Sequence, residues 1–177
     1  GRNGVGKTTL LKLISGDLLP LSGTVSVDGA VGILRQSVQV GPQETVASLF
    51  CIEDAFDLLR RAERGEADAE ALEEADWTLE ARLAAALARV GLDATPDTRL
   101  ATLSGGQRTR AALAALVFGA PDFLLLDEPT NNLDRDGRRA VIDLLANWRA
   151  GAIVISHDRE LLDTMDAIVE LSSLGAT

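Results

Sequence analysis

Long apolar runs are missing from this chain. No stretch of eighteen or more apolar residues occurs in its 177, so none of them forms a membrane-spanning helix. Cysteine is nearly missing too. The single Cys51 permits no internal disulfide, which suits a reducing cytoplasm, and it is expected to be a buried small hydrophobe. Basic charge is scarce, with 17 Lys and Arg against 27 Asp and Glu and a net charge of −10. No long basic run is present, so nonspecific coating of nucleic acid is not expected. No pattern of basic, apolar and then small residues marks a secretory leader. Histidine occurs once, at position 157.

What is present is a core. Apolar residues make up 46% of the chain, enough for one domain of this length. The acidity is uneven: residues 53–82 hold eleven acids and four arginines, read as a solvated helical surface. In that region Leu58, Leu59, Leu72, Leu79, Leu83, Leu87 and Val90 recur at helical spacing and end at Gly91. Trp77 is expected to pack there, and the Ala/Glu-rich residues 62–76 to be a flexible helix-helix connection. Strands are expected at Thr24–Val27 and Val31–Leu34 around the turn pair Asp28-Gly29. A strand buried on both faces is expected at Phe123–Leu126. Further strands are expected at Ala152–Ile155, as a buried one, and at Ile168–Leu171. Asp136 to Arg149 reads as a helix with Val141, Leu144, Leu145 and Trp148 as its buried stripe. Strands and helices thus alternate around a helix-only insertion, which predicts an α/β parallel sheet with a helical subdomain.

Five short segments carry chemistry. Gly1-Arg2-Asn3-Gly4-Val5-Gly6-Lys7-Thr8 is the G-x4-G-K-[ST] pattern. Its glycines let backbone N–H groups turn inward on phosphate oxygens, its lysine reaches the β- and γ-phosphates, and its Thr hydroxyl binds Mg2+. Such a loop follows a buried strand, so the chain is expected to be a fragment whose first strand lies upstream of Gly1. Gln36 stands just past the strand end of Val31–Leu34, on the side where open α/β sheets bind ligands. Leu103-Ser104-Gly105-Gly106-Gln107 opens a helix running from Arg108 to Phe118, a second anion-binding helix end. Two separate cradles on one triphosphate are hard to use together, so the second is expected to serve a nucleotide held by a partner domain. Phe123–Leu126 leads into Asp127-Glu128-Pro129, where Asp127 is placed to hold Mg2+ through water and Glu128 to polarise an attacking water. Ser156-His157-Asp158 follows another strand and puts the one histidine at a strand end, as a γ-phosphate contact.

Together these segments resemble the ABC ATPase family over essentially the whole chain. Gly1–Thr8 matches its Walker A, Gln36 its Q-loop, Leu103–Gln107 its signature, Phe123–Glu128 its Walker B, Asn132–Asp134 its D-loop and His157 its switch histidine. The resemblance implies a P-loop NTPase fold of ABC type: a single partial cassette over 1–177, its first strands missing, with 45–118 as the helical subdomain. It implies ATP and Mg2+ as cofactors. Gly1, Asn3, Gly4, Gly6, Lys7, Thr8 and Thr9 would surround the phosphates, and Thr8, Gln36 and Asp127 the metal. Glu128 would be the base, with His157 on the γ-phosphate and Lys7 completing the catalytic set. Ser104, Gly105, Gly106 and Gln107, with Asp134, complete the nucleotide contacts, the signature acting in trans on ATP held by a second cassette. The reaction implied is ATP and water to ADP and phosphate, although the fragment alone is expected to hydrolyse little.

A narrower resemblance rests on Asp127–Asp134, Gln107–Arg110 and Ser156–Asp163, which look like the ABC-F subgroup. That subgroup implies two cassettes on one chain, no membrane insertion, a cytoplasmic location and the ribosome as a partner. It more often has His at position 132, where this chain has Asn132. The same motifs serve the motor subunit of an ABC transporter, which is the alternative; a non-catalytic binding module is the third reading.

Overall fold

The computed structural model describes residues 6–35, 40–172 and 175–176. In chain order its elements are α1 (Lys7–Ile14), β1 (Val31–Leu34), α2 (Val46–Leu49), α3 (Glu53–Glu63), α4 (Ala69–Glu74), α5 (Leu79–Arg89), α6 (Gly105–Phe118), β2 (Phe123–Asp127), α7 (Arg135–Ala146), β3 (Gly151–Ile155), α8 (Arg159–Leu162), β4 (Leu171–Ser172) and β5 (Gly175–Ala176), with a 3-10 turn at Leu100–Thr102. They fall into two units, Gly1–Ser37 with Ala120–Thr177, and Val38–Gly119.

The first unit is built on a parallel sheet in the order β1-β2-β3, as the alternating pattern predicts. β2 lies between two parallel neighbours, and Leu124, Leu125 and Leu126 are fully buried. A strand covered on both faces needs an unbroken apolar run, which is what these residues supply. α1 packs on the sheet through Leu11, which joins Leu125 and Ile155 in a buried cluster flanked by Val31, Ile33, Phe123 and Ile153. The Asp28-Gly29 pair does turn the chain into β1. Gly29 has φ +106°, and a Cβ there would lie 2.7 Å from Asp122 Oδ2, the oxygen that accepts the Ala30 N–H at 2.8 Å. A groove of about 800 Å3, bordered by Leu10, Leu11, Trp148, Ile153, Met165 and Ile168, runs along β3.

Several expectations fail in this unit. Thr24–Val27 is not a strand; Val25 and Val27 are exposed and the segment has no ladder partner among the described residues. Ile168–Leu171 fails likewise: Ile168 and Val169 are 64% and 67% exposed, and only Leu171–Ser172 pairs, antiparallel, with Gly175–Ala176. β-branched residues suit a pleated, half-buried surface, and without a neighbouring strand that preference has nothing to act on. β3 is also less buried than expected, exposed at Gly151 and Ala152 and buried only at Ile155. The stripe of α7 is Val141, Ile142 and Leu145, while Leu144 and Trp148 are half-buried and the helix stops at Ala146.

Gly151 pairs with Phe123 across the β2–β3 ladder, and a Cβ on it would lie 2.3 Å from the Phe123 ring. A rigid ring cannot give way as a flexible chain end does. Gly151→Ala is therefore expected to destabilise the fold by about 1–3 kcal/mol, the usual range for overpacking. Thermal unfolding checks this; an unchanged midpoint contradicts the close approach.

The second unit is helical. α6 packs on α5 and α2, and α3 on α2 and α4. Leu79, Leu83 and Leu87 form the buried face of α5, one turn apart as the sequence spacing predicts. α6 presents Ala111, Ala112, Leu113 and Ala114 as its buried residues. The ring of Phe118 meets Phe50 edge-on at 5.3 Å and carries the Arg82 guanidinium 4.7 Å above it. Three readings are corrected here. Trp77 is 59% exposed, in the turn before α5, and does not pack. Leu72 is exposed on α4, a short helix inside the stretch expected to be only a connection. Cys51 is exposed, at φ +55°, because the chain turns there between α2 and α3.

Candidate active site

The first unit brings three chain segments to one end of its sheet. α1 starts at Gly6, whose φ of +91° strains any other residue, and no side chain caps the helix. Its first N–H groups and positive dipole end are thus available to an anion. Lys7 and Thr8 stand on that first turn. Thr8 Oγ1 donates to Asp127 Oδ2 at 3.1 Å, which ties the phosphate loop to the end of β2. Asp127 is only 6% exposed. Lys7 Nζ donates to His157 Nε2 at 3.1 Å, which ties the same turn to the chain leaving β3.

Glu128 follows Asp127 in the left-handed region, at φ +52°. Such a backbone costs on the order of 1–3 kcal/mol for a residue with a side chain, and it persists only where neighbours over-determine it. The neighbours are visible. The Glu128 N–H donates to Ile155 O at 2.8 Å, and its side-chain Oε2 accepts the His157 N–H at 3.3 Å. His157 Nε2 lies 3.4 Å from Glu128 Oε1. That nitrogen serves one role at a time. When it accepts from the Lys7 ammonium, the ring proton sits on Nδ1, and Glu128 Oε1 is then a neighbour and not a hydrogen-bond acceptor.

Among the described residues no cluster of three or more His, Cys, Asp or Glu could hold a metal unaided. The pair Thr8 and Asp127 nonetheless fits Mg2+. It offers hard oxygen donors side by side, and Mg2+ takes one or two carboxylates with phosphate oxygens and water filling the rest.

Gly6, Lys7, Thr8, Asp127, Glu128 and His157 therefore converge, with Thr9 exposed on the same helix turn. Gly1, Asn3, Gly4 and Gln36 lie outside the described residues. Asp134 caps α7, accepting the Gly137 N–H at 2.8 Å. The signature segment belongs to the second unit. There Ser104 and Gln107 form a reciprocal cap on α6: Ser104 Oγ accepts the Gln107 N–H and Gln107 Oε1 the Ser104 N–H. Ser104 and Gly105 are exposed, and a Cβ on Gly105 would meet nothing within 4 Å. Arg108 donates to Leu100 O and Ala101 O, fastening the 3-10 turn to the start of that helix.

A sequence model of the family described as ABC transporter matches residues 1–131. The chain belongs to that family. Its cassette is 39% identical to the tylosin resistance ATP-binding protein TlrC of Streptomyces fradiae, over 100% of the chain and 37% of that protein. It is 38% identical to the biotin transport ATP-binding protein BioM of Rhizobium etli, over 96% of the chain and 74% of that protein. It is 37% identical to ABC transporter F family member 3 of Arabidopsis thaliana, over 92% and 20%. Relatives in the F subgroup are thus among those it matches, as the sequence resemblance predicts. Among solved structures, the archaeal ribosome recycling factor aABCE1 in complex with the ribosomal stalk protein aP1 superposes with a TM-score of 0.66 at 29% identity, covering 93% of the chain and 29% of that one. The cassette spans little more than a third of TlrC's length. Domains of this family bind ATP with Mg2+ and in general hydrolyse it. Among the described residues no helix is long and apolar enough to cross a membrane.

Two features escape sequence reading. The left-handed backbone of Glu128 carries no residue signal, since Glu has no preference for it. Arg138, on α7, and Asp158, next to His157, pair in space across twenty residues. That pairing and its hydrogen bonds hold the Asp158 carboxyl below the usual carboxylate range, and the Arg138 guanidinium correspondingly higher.

Proposed function

We propose that this cassette binds ATP with Mg2+, hydrolyses it to ADP and phosphate, and closes on ATP against a second cassette to act on the ribosome. The observation that carries the chemistry is the convergence of Lys7, Thr8, Asp127, Glu128 and His157 at one end of the sheet. Lys7 neutralises phosphate charge, exchanging its bond to His157 for one to the nucleotide. Thr8 and Asp127 hold the metal, which when bound spreads the charge of the transferring phosphoryl group. Glu128, fixed by His157 N–H and by its own backbone bond to Ile155, orients a water and accepts its proton. His157 donates to the γ-phosphate once Lys7 releases it. Gly1, Asn3, Gly4 and Gly6 complete the cradle, Thr9 adds a hydroxyl, and Gln36 joins the metal shell. Ser104, Gly105, Gly106 and Gln107, with Asp134, serve the nucleotide of the opposite cassette. The exposed, side-chain-free Gly105 at the capped start of α6 in the second unit supports that reading, because its backbone leaves room for a phosphate to approach.

The ribosomal role draws support from the likeness to an F family member and to a ribosome recycling factor. A second reading, the motor of a transporter, draws support from the likeness to BioM over most of that protein. Sedimentation separates them. In the complete gene product, Glu128→Gln with its counterpart in a second cassette is expected to co-migrate with ribosomes on a sucrose gradient, and to leave them when ATP is withheld. Recovery with membranes instead overturns the ribosomal role in favour of the transporter motor.

A further inference from the structure

His157 sits on a three-residue turn, Ser156 to Asp158, and both ends of that turn are tied. On one side Ser156 Oγ accepts the Asp158 N–H at 3.0 Å, folding the chain around His157. On the other the Asp158 carboxylate is almost fully enclosed, with 8% of its side chain exposed. It accepts from the Glu160 and Leu161 N–H groups, which caps α8, and from both Nε and Nη2 of Arg138. Thr130, itself buried just after Pro129, also helps to hold that carboxyl below the usual carboxylate range. Arg138 also reaches Glu160 at 3.2 Å. Arg138 is on the first turns of α7, where its N–H bonds Asp134 O at 2.9 Å. A cap for a four-residue helix needs a single acceptor, which Ser or Asn supplies as well as Asp. A bidentate guanidinium–carboxylate pair adds a fixed orientation that a cap does not need. The surplus restraint bears on the residue between the two ties, His157.

We propose that Arg138 and Asp158 are positioning residues for His157: their forked pair fixes the turn after β3 against α7, so that the imidazole stands where Lys7 and Glu128 meet it. The inference rests on the proposed hydrolysis for its kinetic consequence, but not for its geometric one. Without the fork the turn keeps its cap and loses its lateral anchor, and the ring wanders. A misplacement of about 1 Å in a reacting constellation costs on the order of 100-fold in rate.

The test uses the complete gene product with Arg138→Ala, Arg138→Lys and Asp158→Asn, the last keeping an acceptor for the cap. Two readouts are taken: the NMR signals of the His157 ring, assigned by their loss in His157→Ala, and the steady-state kinetics of ATP hydrolysis. Arg138→Ala is expected to displace and broaden the ring signals and to lower kcat about 10- to 100-fold with KM for ATP little changed. Arg138→Lys should recover part of both, and Asp158→Asn, which keeps the helix cap, should follow Arg138→Ala in both readouts. Ring signals that stay in place in both Arg138→Ala and Asp158→Asn overturn the proposal. Ring signals that move in a protein whose wild type shows no Lys7-dependent hydrolysis uphold the positioning and sink the hydrolytic reading instead.

Discussion

Glu128→Gln is expected to leave ATP binding intact and to cut turnover by roughly 100- to 10,000-fold, the usual contribution of a positioned general base. The two side chains have the same length and nearly the same volume. Gln still offers an oxygen to the His157 N–H, the bond that Glu128 Oε2 makes at 3.3 Å, so the turn after β3 keeps its neighbour. The left-handed backbone at φ +52° is equally costly for either residue, so folding stability should not move. What the amide loses is the capacity to take a proton from water. At about 1.4 kcal/mol per tenfold, the expected fall corresponds to roughly 3–5 kcal/mol of barrier. Single-turnover phosphate release beside a fluorescent-ATP titration measures both quantities on one preparation. Turnover at the wild-type rate with binding preserved would remove Glu128 from the base role. Glu128→Gly gives a control of opposite sign: it also removes the carboxylate, yet relieves the left-handed strain, so it should be as slow and melt higher.

Much of the fold is legible in the residues because burial on both faces writes itself into sequence. Leu124 to Leu126 can be read as a central parallel strand, and Leu79, Leu83 and Leu87 as one face of a helix, since each pattern has a single economical packing solution. The segments that mislead are those whose character depends on a partner. Thr24–Val27 and Ile168–Leu171 carry the β-branched residues of strands, but a strand exists only in its ladder. Cys51 and Trp77 mislead for a related reason. Both are apolar by composition, yet both fall at turns between helices, where the chain direction and not the side chain sets exposure. Asn132, by contrast, becomes intelligible only with the structure. Its φ of +59° is one that Asn and His adopt more readily than most residues, which accounts for either at that position.

The candidate site is legible to the extent that its chemistry requires particular side chains at fixed spacing. A phosphate loop, a strand ending in two carboxylates and a histidine after the next strand each announce themselves. Their convergence in one unit follows from parallel strands sending all their carboxyl ends to the same side. The fork of Arg138 on Asp158 is illegible for the converse reason. Surface arginines and aspartates are common, and nothing along the chain marks which pair will meet.

Lys7→Ala is expected to weaken nucleotide binding about 10- to 150-fold, the loss of a charged hydrogen-bond partner worth roughly 1.5–3 kcal/mol. Before nucleotide arrives, the Lys7 ammonium is held at 3.1 Å by His157 Nε2, so removing it leaves an exposed imidazole that water can satisfy. The unliganded fold should therefore melt as the wild type does, since α1 still docks through Leu11 and Thr8 still bonds Asp127. The difference appears only on addition of Mg-ATP. A ligand at a hundred times its Kd stabilises the folded state by about 2.7 kcal/mol, which is read as a higher melting midpoint. Wild type and Glu128→Gln should both show that rise, and Lys7→Ala should show only about a tenth to a half of it at the same concentration. Lys7→Arg is not expected to restore it fully, because a planar fork replaces a compact charge within a tight loop. A full ATP-induced rise in Lys7→Ala would mean that the open N-terminus of α1, and not the ammonium, supplies the affinity. The role of Lys7 would then shrink to holding and releasing His157.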